Sequence, residues 1–287
     1  MSTPQSVWPE GIQCAVTLTF DLDAETSWIA RDPENDRRPV LRSQARFGPK
    51  VGVPEIIRLL NGFGVSCTFF IPSLVVERYP ATIEQILKAG YEVGAHGHVH
   101  EHVDGLSPAQ EEEILAKSVG ILERTTGRRP RGYRSPFGEI SSATIGLLER
   151  YGFDYSSNMM DDIFPYFHES ATGGPPLVEL PFHWVLDDAP FFQFGQIGRA
   201  GVNRPIQAAS HVLEIWKEEF AGIYSRGGLY DLCMHPQLIG RPSRISMLGE
   251  LIRYMRGFPG VWLAQAGEVA RHWRERGTGS GGHRPER

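Results

Sequence analysis

Residues 16–23, V-T-L-T-F-D-L-D, place two carboxylates one residue apart at the end of an alternating run. Successive side chains on a strand point to opposite faces. Thr17, Thr19, Asp21 and Asp23 therefore share one face, and Val16, Leu18, Phe20 and Leu22 share the other. Burying both carboxylates costs several kcal/mol each unless a cation or a proton compensates. A metal on one and a partnered base role for the other meets that cost. By itself D-x-D fits equally well the wet face of an edge strand.

A second cluster lies in A-H-G-H-V-H-E-H, residues 95–102. His96 and His100 are four apart, so one helical turn would put them on the same side. Neutral imidazoles at that spacing make good zinc-type ligands. Four histidines within seven residues count against a plain solvated loop. In a helical turn His98 points elsewhere, and His102 lies behind the ligands or at the surface. Arg134, in Y-R-S-P-F-G, stands in extended chain ahead of Pro136. His235 ends the apolar strand L-Y-D-L-C-M, and Pro236 stops that strand. A lone arginine or histidine is more often structural than catalytic, so their positions must carry the argument.

Those positions come from an alternation of strand-like and helix-like segments. Strands are expected at residues 16–23, 67–71, 91–95, 132–134, 153–156, 177–182, 229–234 and 261–264. Helices are expected at 54–62, 81–89, 142–150, 205–225, 243–256 and 265–274. Residues 107–127 carry the clearest helix limits: Ser107 as cap, Pro108 in the first turn, Gln110 completing a capping box and Gly127 as stop. Asn203 can cap the helix at 205. About eight strands separated by helices predict an α/β fold, a parallel sheet closed into a deformed (β/α) barrel, with an open doubly wound sheet as rival. Asp21, Asp23, His96, Arg134 and His235 all fall at C-terminal strand ends, which share one rim of such a barrel. Independent surface residues would scatter between both rims.

The bulk numbers frame this reading. The 287 residues suit one domain, expected at 14–275, with an N-terminal extension at 1–13 and a disordered Gly-rich tail at 276–287. A net charge of −5 offers no polyanion-binding signal, so nucleic acid is not an expected partner. Cys14, Cys67 and Cys233 lie in or beside apolar runs and form no C-x-x-C pair, which suits reduced core thiols. No signal peptide and no membrane-length apolar stretch is visible, so a cytoplasmic protein away from membranes is expected.

Taken in order, these segments resemble the motifs of the polysaccharide deacetylase family. T-F-D-L-D (19–23) resembles its T-F-D-D, H-G-H-V-H (96–100) its H-x-x-x-H, R-S-P-F (134–137) its R-x-P-Y/F, and L-C-M-H (232–235) its L-x-H. The resemblance spans residues 16–273. It implies a divalent metal, zinc in the first instance, held by Asp23, His96 and His100. It implies Asp21 as general base, His235 as general acid and Arg134 as the group that orients Asp21. Three departures stand out. Leu22 separates the two aspartates, although alternation keeps both on one face. Position 137 is Phe, which leaves only its backbone N–H for an oxyanion. V-E-L-P-F-H-W-V-L-D-D (178–188) replaces the usual fourth motif. That segment resembles an intracellular branch that includes a peptidoglycan deacetylase-like protein and hydrolases of small cyclic amides such as allantoin and imides.

The function expected is metal-dependent hydrolysis of a non-peptide amide: N-deacetylation of an amino sugar or a related carbohydrate amide, or opening of a small cyclic amide or imide. A non-catalytic metal- or sugar-binding module would keep the histidines but has no need of Asp21 and His235 together. Trp28, Phe137 and Trp184 are candidate pocket walls, with core packing as the equal alternative. Asp187 and Asp188 anchor Arg134 or His235, or make a solvated turn. Loops at residues 158–176 and 187–203 are expected to roof the site with Phe164, Phe167, Phe191 and Phe192. The same aromatic groups suit contact with a second copy, so a homo-oligomer is expected.

Overall fold

The alternating run becomes β1 (Cys14–Asp21), in which every residue is buried. A strand buried on both faces belongs inside a parallel sheet covered by helices. The computed structural model, which describes residues 7–170, 173–194 and 205–279, has that arrangement. The other strands are β2 (Thr68–Ile71), β3 (Glu92–Ala95), β4 (Gly132–Tyr133), β5 (Tyr155–Ser156), β6 (Tyr166–Phe167), β7 (Val178–Glu179), β8 (Leu229–Met234) and β9 (Val261–Ala264). Neighbours run β6-β7-β5-β4-β3-β2-β1-β8, and β9 pairs with the first half of β1. All pairs are parallel except β6–β7. The sheet curls far enough that the Leu229 N–H donates to the Ile163 carbonyl (2.8 Å) and Asp187 bridges Cys233. This is the deformed (β/α) barrel that the strand–helix alternation predicts.

The faces of β1 divide the interior. Val16, Leu18, Phe20 and Leu22 join the main apolar core with helix residues such as Ile56, Leu60, Trp216 and Leu248. A fully buried side chain of this size contributes about 1.5–3 kcal/mol. Thr17 and Thr19 face inward and bond to Asp231 of β8 (2.6 and 3.5 Å). A second apolar cluster, with Trp8, Phe70, Tyr155, Leu229 and Trp273, fills the end of the barrel away from the carboxylates.

Helix limits are legible where the chain writes them. The helix Pro108–Thr126 has both reciprocal bonds of the Ser107–Gln110 capping box and ends on left-handed Gly127. Unsigned limits moved. The helix expected from residue 205 begins at Ala209 without a side-chain cap, and Asn203 lies outside the described residues. The last helix, Ala266–Gly279, runs past residue 274; residues 280–287 of the expected disordered tail lie outside the described residues.

The loop at 158–176 corrects the expected roof. It carries β6 antiparallel to β7, so the chain runs back down the barrel before β7 rises again. Phe164 and Phe167 consequently pack on the lower cluster with Trp8 and Trp273, away from the rim. In the second expected roof, 187–203, residues 195–203 lie outside the described residues; Ala189, Pro190, Gln193 and Phe194 border the rim cavity, whereas Phe191 and Phe192 pack inward, Phe192 fully buried with the Arg244 guanidinium 4.3 Å from its ring centre. No helix among the described residues is long and apolar enough to cross a membrane.

Candidate active site

Asp23 stands just beyond β1, and His96 and His100 lie in the loop after β3. His96 Nε2 is 3.5 Å from Asp23 Oδ1, and His100 Nε2 is 3.6 Å from Asp23 Oδ2. His96 Nδ1 lies 2.8 Å from the Arg134 carbonyl; a carbonyl only accepts, so Nδ1 carries the proton. In the neutral ring Nε2 then turns a lone pair toward a carboxylate, an arrangement that calls for a cation or proton between them. Asp23 Oδ1 is buried with no hydrogen-bond partner. Two atoms each roughly 2.0–2.2 Å from a zinc-type ion at tetrahedral angles stand about 3.3–3.6 Å apart. The observed spacings, one to each Asp23 oxygen, are of that size, and one donor atom from each of the three residues lies within 4.8 Å of the others, so the residues present fit a divalent metal.

The electrostatics agree with this donor set. Burial alone would raise the Asp23 carboxyl, but His100, His96 and His235 outweigh it and hold it below the ordinary range. Burial, opposed by Asp23 and reinforced by His96 and His235, holds His100 down to about 3, so His100 is neutral. Burial also works against a charge on His96, yet Asp21 and Asp23 hold that group above its usual value. The carboxylates thus favour positive charge at the point where the three donor atoms meet.

The histidines do not converge through a helical turn, as their spacing predicted. Residues 96–100 form no helix. The Glu101 carboxylate accepts from the backbone N–H groups of His98 (2.9 Å) and Val99 (2.8 Å), a local cap that bends the loop instead. His100 itself is left-handed (φ 63°). Ala24 and Phe137 share that conformation; they are the three non-glycine residues with positive φ among the described residues, and all border this site. Such residues cost about 1–3 kcal/mol each and persist where the surroundings over-determine them. His98 turns away to Ser73 (2.8 Å), and His102 stacks on the Phe137 ring at 3.7 Å.

Arg134 is 1% exposed and has an acceptor for each nitrogen. Nη1 donates to Thr19 (2.7 Å) and Asp21 (3.2 Å), Nη2 to Ser157 (2.8 Å) and Asp231 (3.0 Å), and Nε to the Ser157 carbonyl (3.3 Å). Its carbon lies 4.5 Å from the centre of Phe70 and 5.0 Å from that of Phe182. Removing one partner of a buried pair like this costs about 3–5 kcal/mol, because the other charge is left uncompensated. Asp21 also accepts from the Cys233 thiol (3.4 Å). Asp231 and Ser157 were not singled out in the sequence, although Asp231 shares its strand face with His235 by parity.

Asp188 Oδ1 accepts from His235 Nδ1 (2.7 Å) and from the His235 backbone N–H (3.1 Å). His235 Nε2 is left facing Asp23 Oδ2 at 3.8 Å. Burial disfavours charge on His235, but the Asp188 hydrogen bond and the charges of Asp188, Asp187 and Asp23 hold it well above the usual imidazole value. Asp187 is pushed up to about 6, by burial first. Both aspartates are buried beside His235, which rules out the solvated-turn reading.

A cavity of about 690 Å³ joins these groups, within the range of small-ligand pockets. Asp21, Asp23, His96, His100, Arg134 and His235 line it, as do Phe137 and Trp184. Trp28 is buried and is not among the lining residues; Ser27 takes that place. Phe182, Phe194, Arg31 and Gln237 also line it, and no motif pointed to them.

Comparison with known proteins follows the same lines. The sequence model of a family described as polysaccharide deacetylase matches residues 47–156. A peptidoglycan deacetylase of Helicobacter pylori is 28% identical over 279 residues, covering 89% of this chain and 94% of the relative. The crystal structure of a provisionally assigned polysaccharide deacetylase from Mycobacterium smegmatis is 36% identical with a TM-score of 0.91, covering 100% of this chain and 99% of that one. An allantoinase structure, 24% identical with a TM-score of 0.81 over 96% of this chain and 95% of its own, shares the fold.

Proposed function

The chain belongs to the polysaccharide deacetylase family, a family of hydrolases of carbon–nitrogen amide bonds, and from that premise we propose that it removes the acetyl group from an acetylated amino sugar or a related carbohydrate amide. The observation that carries this reading is the meeting, on one cavity, of a buried carboxylate paired to arginine, a three-residue metal donor set and a histidine bonded to the buried Asp188.

A divalent ion, zinc-type by the chemistry of its donors, fits Asp23, His96 and His100, and when bound it would polarise the scissile carbonyl and the attacking water. Asp21, fixed by Arg134, takes the proton of that water as it adds to the carbonyl carbon. The backbone N–H of Phe137 donates to the developing oxyanion. His235 carries its second proton on Nε2, which faces the cavity, and delivers it to the leaving nitrogen as the C–N bond breaks. Acetate and the free amine are the products. Phe182, Trp184 and Phe194 form apolar walls on which a sugar face can stack.

A second reading, hydrolysis of a small cyclic amide or imide, is favoured by the cavity's size and aromatic walls. A binding module without turnover is disfavoured, because it has no use for Asp21 and His235 together beside the metal ligands. The test is a hydrolysis panel of acetylated amino sugars, their oligomers and cyclic amides, with and without added divalent metals. Acetate release from the sugars is expected. Ring opening without any acetate release moves the assignment to the second reading, and no turnover on any substrate overturns both.

A further inference from the structure

Three arginines bear on the walls of the cavity, and their environments differ. Arg134 has an acceptor for every nitrogen. Arg244, behind the wall, donates to the Leu238 carbonyl (3.0 Å) and lies over Phe192. Arg31 lines the cavity itself, and among the described residues it has neither a hydrogen-bond acceptor nor an ion-pair partner. Its guanidinium carbon stands over the Phe137 ring, 5.2 Å from the centre. The Phe137 ring in turn meets the His100 ring edge-to-face at 4.3 Å. Arg31 therefore sits one side chain away from a proposed metal ligand, at the mouth of the site.

Charge bookkeeping around the cavity sharpens the contrast. Asp21 is committed to Arg134, Asp188 to His235, and Asp23 to the donor set. Asp187 faces His235. Arg31 is solvent-exposed at the cavity mouth; partial enclosure there lowers its tendency to hold its charge, and the acidic group that opposes this is Asp23. A cation bound at Asp23 would cancel that support and leave Arg31 without a counter-charge. A guanidinium engaged through a ring keeps its N–H donors for a planar anion, which it binds bidentately.

We propose that Arg31 is a specificity-determining residue that binds a carboxylate carried by the substrate close to the scissile amide, so that the preferred substrate is an acidic acetylated amide. This rests on the deacetylase reading and narrows its substrate class. Phe137 presents the arginine, and its left-handed backbone (φ 59°) holds the ring between His100 and Arg31.

The experiment uses a matched pair of probes: an N-acetylated amino sugar, and the same sugar with a carboxymethyl ether on the hydroxyl next to the acetamido carbon. Rates of acetate release are measured for the wild-type protein, Arg31→Ala and Arg31→Lys. The expected result is a wild-type preference for the acidic probe. In Arg31→Ala the ratio of kcat/KM for acidic over neutral probe falls about 10–100-fold, the range for losing one hydrogen-bonded charge pair. The loss sits in KM rather than kcat, and Arg31→Lys restores part of it. Adding salt should erode the wild-type preference as well. A ratio unmoved by Arg31→Ala, or a loss equal for both probes, overturns the proposal while the deacetylase reading stands on the neutral probe. Failure of the wild-type protein on both probes and on every amide of the wider panel removes the reading and the proposal together.

Discussion

Asp21 and His235 divide the proton transfers in the proposed reaction, so each can be tested alone. Asp21→Asn keeps the shape and the Arg134 contact of the side chain but cannot take a proton; His235→Ala removes the donor. Each is expected to cost about 10²–10⁴-fold in kcat; His235→Ala keeps a melting temperature near wild type, whereas Asp21→Asn gives up the charge that faces buried Arg134 and melts a few degrees lower while staying folded. Activity within a few-fold of wild type rejects the role, and a collapsed melting temperature assigns the residue to the fold instead. The pH profile follows from the direction of the His235 shift. A histidine whose pKa is raised keeps its proton at neutral pH and loses it as pH climbs through the raised value, so it sets the alkaline limb of kcat. Asp188 supplies the largest favourable part of that shift. Asp188→Asn should therefore move the alkaline limb to lower pH and leave the acid limb in place; an unmoved alkaline limb would mean that His235 is not the acid. The residues proposed as ligands and proton-transfer groups were legible because each is a distinct residue type at a strand end or in the loop just after one. Arg31 was not, because an arginine in an irregular loop looks like any surface charge until its missing partner is seen.

Short elements hold these residues in place through contacts that no motif encodes. The turn Gly48–Gly52, a π-type turn, packs directly on Pro236–Ile239, the helical turn that follows His235. A Cβ on Gly52 would fall 2.2 Å from the Pro236 carbonyl oxygen, and one on Gly240 would fall 2.5 Å from the Gly52 Cα. Backbone cannot yield as a flexible side chain can. Gly52→Ala is expected to destabilise the protein by about 1–3 kcal/mol and to lower kcat by displacing His235, measured by thermal unfolding beside steady-state kinetics. Unchanged values for both would show that the two turns separate freely. The capping box at Ser107 could be read from the chain because it is local in sequence. The Gly52–Pro236 contact joins residues far apart, and only folding reveals why a glycine stands there.

The whole molecule decides where the polar face of β1 points, and metal binding is its simplest readout. The donor set is held in the folded chain alone, so a divalent ion should stabilise the native state by about 2.7 kcal/mol at a free concentration one hundred times its Kd. We expect zinc added to chelator-treated protein to raise the melting temperature, with one ion bound by titration calorimetry. Asp23→Asn should weaken that binding strongly, and equal affinity in the variant would place the ion elsewhere. Residue types, strand periodicity and chain order by themselves determined the α/β class, the strand-end positions of Asp21, Asp23, His96, Arg134 and His235, and the amide-hydrolysing chemistry they suit, because alternation and turn residues act over a few positions. The tertiary structure alone decided that Asp231 and Ser157 complete the arginine's shell, that Asp188 rather than solvent meets His235, and that residues 158–176 turn down the barrel rather than over the site. Those outcomes depend on which distant segments pack together, and packing energy is shared among partners that no local stretch of sequence contains.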